Sequence, residues 1–196
     1  MTESLIRIAV WASGQGTNAE NLIRFFKSHP RIRVALVVCN KADAPVLSKA
    51  SALKVPSILI GKESWRQEQD LLDQLMAFQI DAMVLAGFLW RIPEFLLRAY
   101  PQRILNVHPS LLPDFGGKGM YGERVHQAVL DAGRSESGIT IHLVNEAYDE
   151  GAAIASFRCP VHPEDTVHAL SERIHGLEQT YLPAVVEQWA LGNLGL

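Results

Sequence analysis

The chain has 196 residues, of which 48% are hydrophobic and 20% are charged, so it holds enough apolar material for one sizeable core. A formal net charge of −3 gives no reason to expect nucleic acid or an anionic membrane as the main partner. Cys39 and Cys159 are too few for a disulfide framework and lack metal-ligand spacing, which favours a reducing, cytoplasmic location. No apolar run approaches the roughly 20 residues that span a bilayer, and the N-terminus lacks the pattern of a signal peptide.

Apolar runs of strand length alternate with helix-length segments over the first half of the chain. Strands are predicted at residues 5–12, 33–39, 56–60, 83–86 and 103–106, and helices at 18–27, 44–53 and 64–78, with a short helix before the fifth strand. Continuous apolar strands separated by helices are typical of a parallel sheet covered on both faces.

The pattern changes after residue 106. A loop rich in Pro and Gly is predicted at 107–121 and a helix at 123–132. The runs 138–144 and 152–161 have no helix between them, so they are predicted to pair antiparallel. A long closing helix follows, capped by Asp165 or Thr166, with an apolar stripe of Val167, Leu170, Ile174, Leu177 and Tyr181. The prediction is an α/β chain with a single Rossmann-like domain, 1–196, and a mixed, mostly parallel sheet.

The segment VWASGQGTN, residues 10–18, joins the first strand to the first helix. Gly14 and Gly16 let the backbone approach a ligand, and Thr17, Asn18 and the helix N-terminus supply donors, which favours a phosphate site. It is neither a P-loop, since no GK[ST] follows, nor the G-x-G-x-x-G fingerprint, since Ala19 replaces the third glycine. A plain strand-to-helix turn explains the same spacing equally well.

The segment ILNVHPSLLP, residues 104–113, places Asn106 and His108 where the fifth strand is predicted to end. An amide can donate to a developing oxyanion, and an imidazole can exchange a proton near neutral pH. Taken alone, an Asn turn with a histidine bonded to a carbonyl is the simpler interpretation.

A second polar cluster ends in Asp149, whose carboxylate could orient His108 and favour its protonated form. His142 on the preceding strand is interpreted as structural. Metal binding by His108, His126 and His142 is conceivable, but no pair has helical i, i+4 spacing, so no metal is expected.

With these residues in place, the chain resembles the folate-dependent formyltransferase family over about residues 7–189. The resemblance is carried by four motifs in order: SGQGTN at 13–18, LAGFLWRI at 85–92, NVHPSLLP at 106–113 and DEG at 149–151. It implies transfer of a formyl group from 10-formyltetrahydrofolate, as cosubstrate, to the amine of phosphoribosylglycinamide in purine biosynthesis.

The resemblance also implies roles for individual residues. Asn106, His108 and Asp149 match the catalytic residues: Asn106 and protonated His108 would stabilise the oxyanion, and Asp149 would keep His108 charged. Gly16, Thr17 and Asn18 match the phosphate site, and Glu178 matches a contact of the substrate amine. The folate-binding residues implied are Arg66, by a loose match, then Leu89, Trp90, Arg91, Ile92 and Asn106. The implied division is a phosphate-binding half, about 1–100, and a folate-binding and catalytic half, about 101–196, in a monomer or homodimer.

Two features depart from the family pattern. Many relatives have G-F-M-R where this chain has Gly87-Phe88-Leu89-Trp90-Arg91, which moves the arginine by one place. The segment GGKGMYG, 116–122, is interpreted either as a mobile cover that brings Lys118 near the substrate or as a plain surface loop.

Three alternatives remain open. A 10-formyltetrahydrofolate hydrolase would use water in place of the amine, but such members usually carry an extra N-terminal domain. A methionyl-tRNA formyltransferase would carry a C-terminal tRNA-binding domain. A catalytically silent phosphosugar-binding module would have no need for Asn106, His108 and Asp149 together.

Overall fold

The computed structural model describes residues 4–193, whose seven strands form one sheet in the order β3-β2-β1-β4-β5-β6-β7. The strands are β1 (Ile6–Ala12), β2 (Ile32–Cys39), β3 (Ser57–Leu59), β4 (Ala82–Leu85), β5 (Ile104–His108), β6 (Glu136–Leu143) and β7 (Ala153–Pro160). The first five are parallel, and β6 and β7 are antiparallel to their neighbours. The predicted fold class and the antiparallel pairing of the last two strands are confirmed.

Helices cover both faces of the sheet and enclose two apolar layers. The helices are α1 (Thr17–Phe25), α2 (Pro45–Ala52), α3 (Glu68–Ala77), α4 (Glu94–Ala99), α5 (Glu123–Asp131) and α6 (Val167–Asn193). Buried residues of α1, α2, α5 and α6 pack on one face, and those of α3 and α4 pack on the other. Both cysteines are buried and free. Within residues 4–193, no helix is both long enough and apolar enough to span a membrane.

Most element boundaries differ from the sequence prediction by one or two residues, and two of the differences have a clear structural reason. The helix predicted at 64–78 begins only at Glu68, because a short 3-10 helix (Lys62–Trp65) precedes it. The fifth strand continues to His108, two residues beyond its predicted end, because β6 pairs with it along its full polar end. The strand therefore ends at His108, directly before Pro109. A residue that precedes a proline is held in an extended conformation, which suits the last position of a strand.

One of the two predicted N-cap residues does cap the last helix. The Thr166 hydroxyl accepts a hydrogen bond from the Ala169 N–H at 3.1 Å, so Thr166 is the cap. Leu170 and Ile174 of the predicted stripe are buried, whereas Tyr181 is 38% exposed. Tyr181 instead stacks on Phe157 of β7, with the ring centroids 3.9 Å apart.

The strand order reverses between β1 and β4, and this is where the sheet offers a crevice. From β1 the chain moves outward to β2 and β3, then returns to β4 and moves the other way. Ligands of open α/β sheets bind at such switch points, beyond the carboxyl ends of the strands. The segments that follow β1, β4 and β5 meet there.

Candidate active site

A cleft of about 700 Å³ lies at this switch point and is lined by residues from all three segments. One end, called the loop end below, comprises Gly14, Gly16, Thr17, Asn18, His175 and Glu178. The other, called the strand end, comprises Asn106, His108, His142 and Asp149; all but His142 line the cleft directly. The volume is within the range of small-molecule sites. The structure thus brings the predicted phosphate residues and the predicted catalytic residues into one cavity.

Gly16 is required at the loop end for two independent reasons. Its φ of 68° lies in the left-handed region that favours glycine. A Cβ at this position would also lie 2.4 Å from Cγ2 of Val46, on the neighbouring α2. Gly14 differs, since a Cβ there would meet nothing within 4 Å. Only Gly16 is needed by the fold itself.

The side chains of the loop end are already bonded to α6. The Asn18 amide donates to Glu178 Oε2 at 2.7 Å and accepts from Gln179 Nε2 at 2.6 Å. Thr17 Oγ1 lies 2.7 Å from His175 Nε2. The sequence suggested that the side-chain amide of Asn18 is a free donor, but these bonds already occupy it. The backbone N–H groups of the first turn of α1 have no side-chain cap, so they are the groups left for an anion.

Glu178 faces the cleft rather than bulk solvent. Its side chain is only 13% exposed, and burial raises the pKa of its carboxyl, while the bond from Asn18 and the charge of His175 act in the opposite direction. A carboxyl held in this way can accept hydrogen bonds from an amine or from hydroxyl groups.

At the strand end, Asn106 and His142 lie opposite each other on β5 and β6. His142 Nδ1 donates to the Leu143 carbonyl at 2.8 Å, so its Nε2 is free to accept from Asn106 Nδ2 at 3.0 Å. Asp149 Oδ1 lies 3.4 Å from the same Asn106 nitrogen and 3.6 Å from His142 Nε2. His142 does bond within the sheet, as predicted, but it also holds Asn106 in place, a role the sequence interpretation missed.

His108 lies between a carbonyl and a carboxylate. Its Nε2 donates to the Phe115 carbonyl at 2.9 Å, and its Nδ1 lies 3.5 Å from Asp149 Oδ2. Because Phe115 holds a proton on Nε2, Nδ1 is the nitrogen that can gain or lose a proton. Asp149 itself has a left-handed φ of 57°, and its Oδ2 also accepts from the Gly117 N–H at 2.9 Å.

Asp149 acts on the pKa of His108 in the expected direction, and burial opposes it. Burial, at 4% exposure, lowers the pKa of His108, although Asp149 and the Phe115 carbonyl both act to raise it. Burial also acts to raise the pKa of Asp149, but His142, His108 and the Gly117 N–H together lower it. The site therefore pairs a carboxyl whose pKa is lowered by its polar neighbours with an imidazole whose pKa is lowered by burial.

The predicted folate segment is divided between the cleft and the surface. The Leu89 N–H donates to Ser13 Oγ at 3.0 Å, and Leu89 lines the cleft. Trp90 packs against Trp65, and Ile92 is buried. Arg91 bonds to the Glu146 carbonyl and lies over the Tyr148 ring, so it ties this segment to the chain before Asp149.

Two further predictions concern residues around the cleft. Arg66 is exposed and does not line the cleft. Residues 117–122 do line it, including Lys118, so this segment is part of the cleft wall rather than a plain surface loop. Within residues 4–193, no group of three or more His, Cys, Asp or Glu side chains could hold a metal ion.

Comparisons with known proteins point to one family. A family model described as formyl transferase matches residues 6–186. The chain is 35% identical over 195 residues to phosphoribosylglycinamide formyltransferase of Bacillus subtilis (strain 168), covering 96% of this chain and 97% of the relative. It is 32% identical to the Haemophilus influenzae protein of the same name, covering 97% and 90%. The crystal structure of glycinamide ribonucleotide transformylase 1 from Geobacillus kaustophilus superposes with a TM-score of 0.85 at 37% identity, covering 93% of this chain and 97% of that one.

Proposed function

The chain belongs to the formyl transferase family, and from that premise we propose that it transfers the formyl group of 10-formyltetrahydrofolate to the amine of phosphoribosylglycinamide in purine biosynthesis. Relatives that carry this activity in their names match nearly the full length of the chain. The observation that carries the proposal is one cleft that joins a loop end suited to an anion to a strand end suited to proton transfer.

The loop end is the proposed site of the ribonucleotide. Its phosphate would accept hydrogen bonds from the backbone at Gly16, Thr17 and Asn18, aided by the positive end of the α1 dipole. The side chains of Thr17 and Asn18 would act indirectly, because their bonds to α6 hold this turn in place. Glu178, which is already bonded to Asn18, would accept from the substrate.

The folate is proposed to lie along the segment that follows β4. Leu89 to Ile92, with Asn106 beside them, would offer backbone groups to the pterin. Leu89 supports this placement because it is exposed and lines the cleft. The side chains of Trp90 and Arg91 would fix the shape of this segment rather than contact the ligand. Arg66 remains a prediction without a contact that supports it.

The chemistry needs an acceptor for a proton and donors for an oxyanion. As the amine attacks the formyl carbon, the carbonyl oxygen gains negative charge that Asn106 Nδ2 and protonated His108 Nδ1 would stabilise. An oxyanion could displace the long 3.4 Å contact between Asn106 and Asp149. One such donor contributes roughly 3–4 kcal/mol in other oxyanion sites. Collapse of the tetrahedral intermediate then breaks the bond between the formyl carbon and N10 of the folate, and the proton lost by the amine ends on N10 of the departing tetrahydrofolate. Asp149 would hold the imidazolium of His108 throughout, and no covalent enzyme intermediate is needed.

The setting of the reaction is proposed from the same features. Both cysteines are free, which suits a reducing cytoplasm. Small molecules would be the partners, with no role for nucleic acid or a membrane, and the chain would act as a monomer or a homodimer. Thr17 and Glu178, from opposite halves of the chain, both line the loop end. The division into a phosphate half and a folate half is therefore proposed only for the segments that lead into the cleft.

The test measures tetrahydrofolate released from 10-formyltetrahydrofolate with and without phosphoribosylglycinamide. Release that depends on the ribonucleotide, with formylated product in equal amount, supports the transferase. Equal release without the ribonucleotide contradicts it and identifies a hydrolase. No release in either case leaves binding alone as the activity of the cleft.

A further inference from the structure

His126 is a buried histidine of the cleft wall to which the proposed chemistry gives no role. It lies on α5 next to the core residue Val125, is 4% exposed, and lines the cleft. The charges that act on it include those of His108, at the strand end, and His175, at the loop end. The ring is therefore within electrostatic reach of both ends of the cleft.

The hydrogen bonding of this ring is incomplete. Nδ1 is sealed from solvent and has no hydrogen-bond partner among residues 4–193. Nε2 also makes no hydrogen bond within that part of the chain, but it is not among the sealed atoms. Buried polar groups are bonded in the great majority of cases, and leaving one unbonded costs free energy. A ligand in the cleft is the partner the fold leaves room for, and Nε2 is the atom that can reach it.

The charge state of the ring determines what it can offer. Burial lowers the pKa of His126, and His108 and His175 act in the same direction, against the single opposing carboxylate of Glu123. A neutral imidazole carries one N–H. An orphaned buried N–H is rarer than an orphaned acceptor, so the proton belongs on Nε2 and the sealed Nδ1 keeps its lone pair. His126 then presents a donor to the cleft.

We propose that His126 donates a hydrogen bond from Nε2 to an oxygen in the ribosylglycinamide part of the amine substrate, between its phosphate and its amine. The inference rests on the proposed function, because that substrate spans the distance from the loop end to the strand end. His126 would thus be a binding residue for the middle of the substrate and would take no part in the transfer of the proton.

The test compares three variants of the full chain by calorimetric binding of phosphoribosylglycinamide. His126→Gln keeps a donor near the position of Nε2, whereas His126→Asn carries the same amide group too far back to reach it, and His126→Leu has no donor. We expect the Kd to rise about fivefold to tenfold in the Leu and Asn variants, the scale of one lost hydrogen bond, and to stay within about threefold in the Gln variant. Binding of a folate analogue should not change.

A measurement of Tm separates binding from a structural role. Leu removes an unbonded buried nitrogen, so His126→Leu should match or exceed the Tm of the unmodified protein while it binds the ribonucleotide less well. Opposite changes in stability and affinity are not expected of a residue that only supports the fold. Steady-state kinetics should show the loss in KM with kcat little changed, as for binding that is equal in ground state and transition state.

The outcomes distinguish this inference from the proposed function. If the unmodified protein transfers formyl groups and His126→Leu binds the ribonucleotide equally well, the inference is wrong and the function stands. Equal losses in the Gln and Asn variants would also overturn it, since the reach of the donor would then not matter. If the unmodified protein neither binds nor formylates the ribonucleotide, the function and the inference fail together.

Discussion

The two ends of the cleft use different parts of the chain. At the loop end the side chains of Thr17 and Asn18 are bonded to α6, and the backbone N–H groups remain for the ligand. At the strand end the side chains of Asn106 and His108 are the reactive groups, and the backbone supports them through the carbonyl of Phe115 and the N–H of Gly117. The contrast indicates that side-chain substitutions should alter catalysis at the strand end and binding at the loop end.

The largest effect is expected at the strand end. Asp149→Asn keeps the size of the side chain and removes its charge, and His108→Ala removes the group that exchanges the proton. Each should lower kcat by about 10²-fold or more, the scale of general acid–base groups. The double variant should be little worse than the worse single one, because residues that act as a unit are not additive.

An NMR titration of His108 sharpens the same prediction. Asp149 acts to raise the pKa of His108, so the pKa should fall further in Asp149→Asn. The loss in kcat should therefore be greater at higher pH, where less of His108 is protonated in the variant. Losses in kcat that multiply independently, with an unchanged His108 pKa, would contradict the pairing of these two residues.

The next effect concerns His142, which holds Asn106 without facing the substrate. His142→Leu removes the acceptor for Asn106 Nδ2 and should lower kcat about tenfold, with little change in either KM, since one supporting hydrogen bond is lost. His142→Gln restores an acceptor near Nε2 and serves as the matched control. If Gln is as impaired as Leu, the contact between Asn106 and His142 is not what matters.

A pair of glycines tests the loop end. Gly14→Ala adds a methyl group to open space in the cleft, so the KM for the ribonucleotide should rise several-fold while Tm stays unchanged. Gly16→Ala places a Cβ at a left-handed residue and against Val46, which should cost at least about 1–2 kcal/mol of unfolding free energy. Thermal melts with kinetics in both substrates check the pair. Equal loss of stability in the two variants would contradict the conclusion that the fold needs Gly16 but not Gly14.

A smaller effect is expected at Glu178. Burial raises its pKa, so the stability it contributes is lost as pH rises through the pKa it has in the folded protein. Glu178→Gln removes that loss while it keeps an acceptor for Asn18. Denaturant titrations above pH 5 should show the variant equally or more stable, with a several-fold higher KM for the ribonucleotide. A variant that is less stable across this range would refute the assignment of Glu178 as a carboxyl whose pKa is raised by burial.

No effect is expected from the removal of metals. The residues of both ends can bind and transfer without a metal ion, so activity should survive exhaustive chelation. Loss of activity that Zn²⁺ restores would contradict the proposed chemistry at both ends.

The sequence predicted the frame of this molecule better than its contacts. The apolar runs located the seven strands of residues 4–193, most clearly β1, β4 and β5, because burial on both faces of a sheet leaves a clear local pattern. The role of His142 was missed because it depends on the register between β5 and β6, which no single strand reveals. The use of the Asn18 amide by α6 was equally hidden, since the partners are 160 and 161 residues apart. The necessity of Gly16 was predicted from ligand approach, whereas Val46 supplies a second reason.

The bonds that residues 115–117 make to the strand end link the position of this backbone segment to the protonation states of His108 and Asp149. His108 keeps its Nε2 proton because the Phe115 carbonyl is there to accept it, and Asp149 has the Gly117 N–H as one of its partners. A substitution that shifts this backbone should change the pH–rate profile, because it would alter the pKa values of His108 and Asp149 without contacting either side chain. In selection or engineering, the glycines of this segment are thus constrained by acid–base chemistry, although they carry no titratable group of their own.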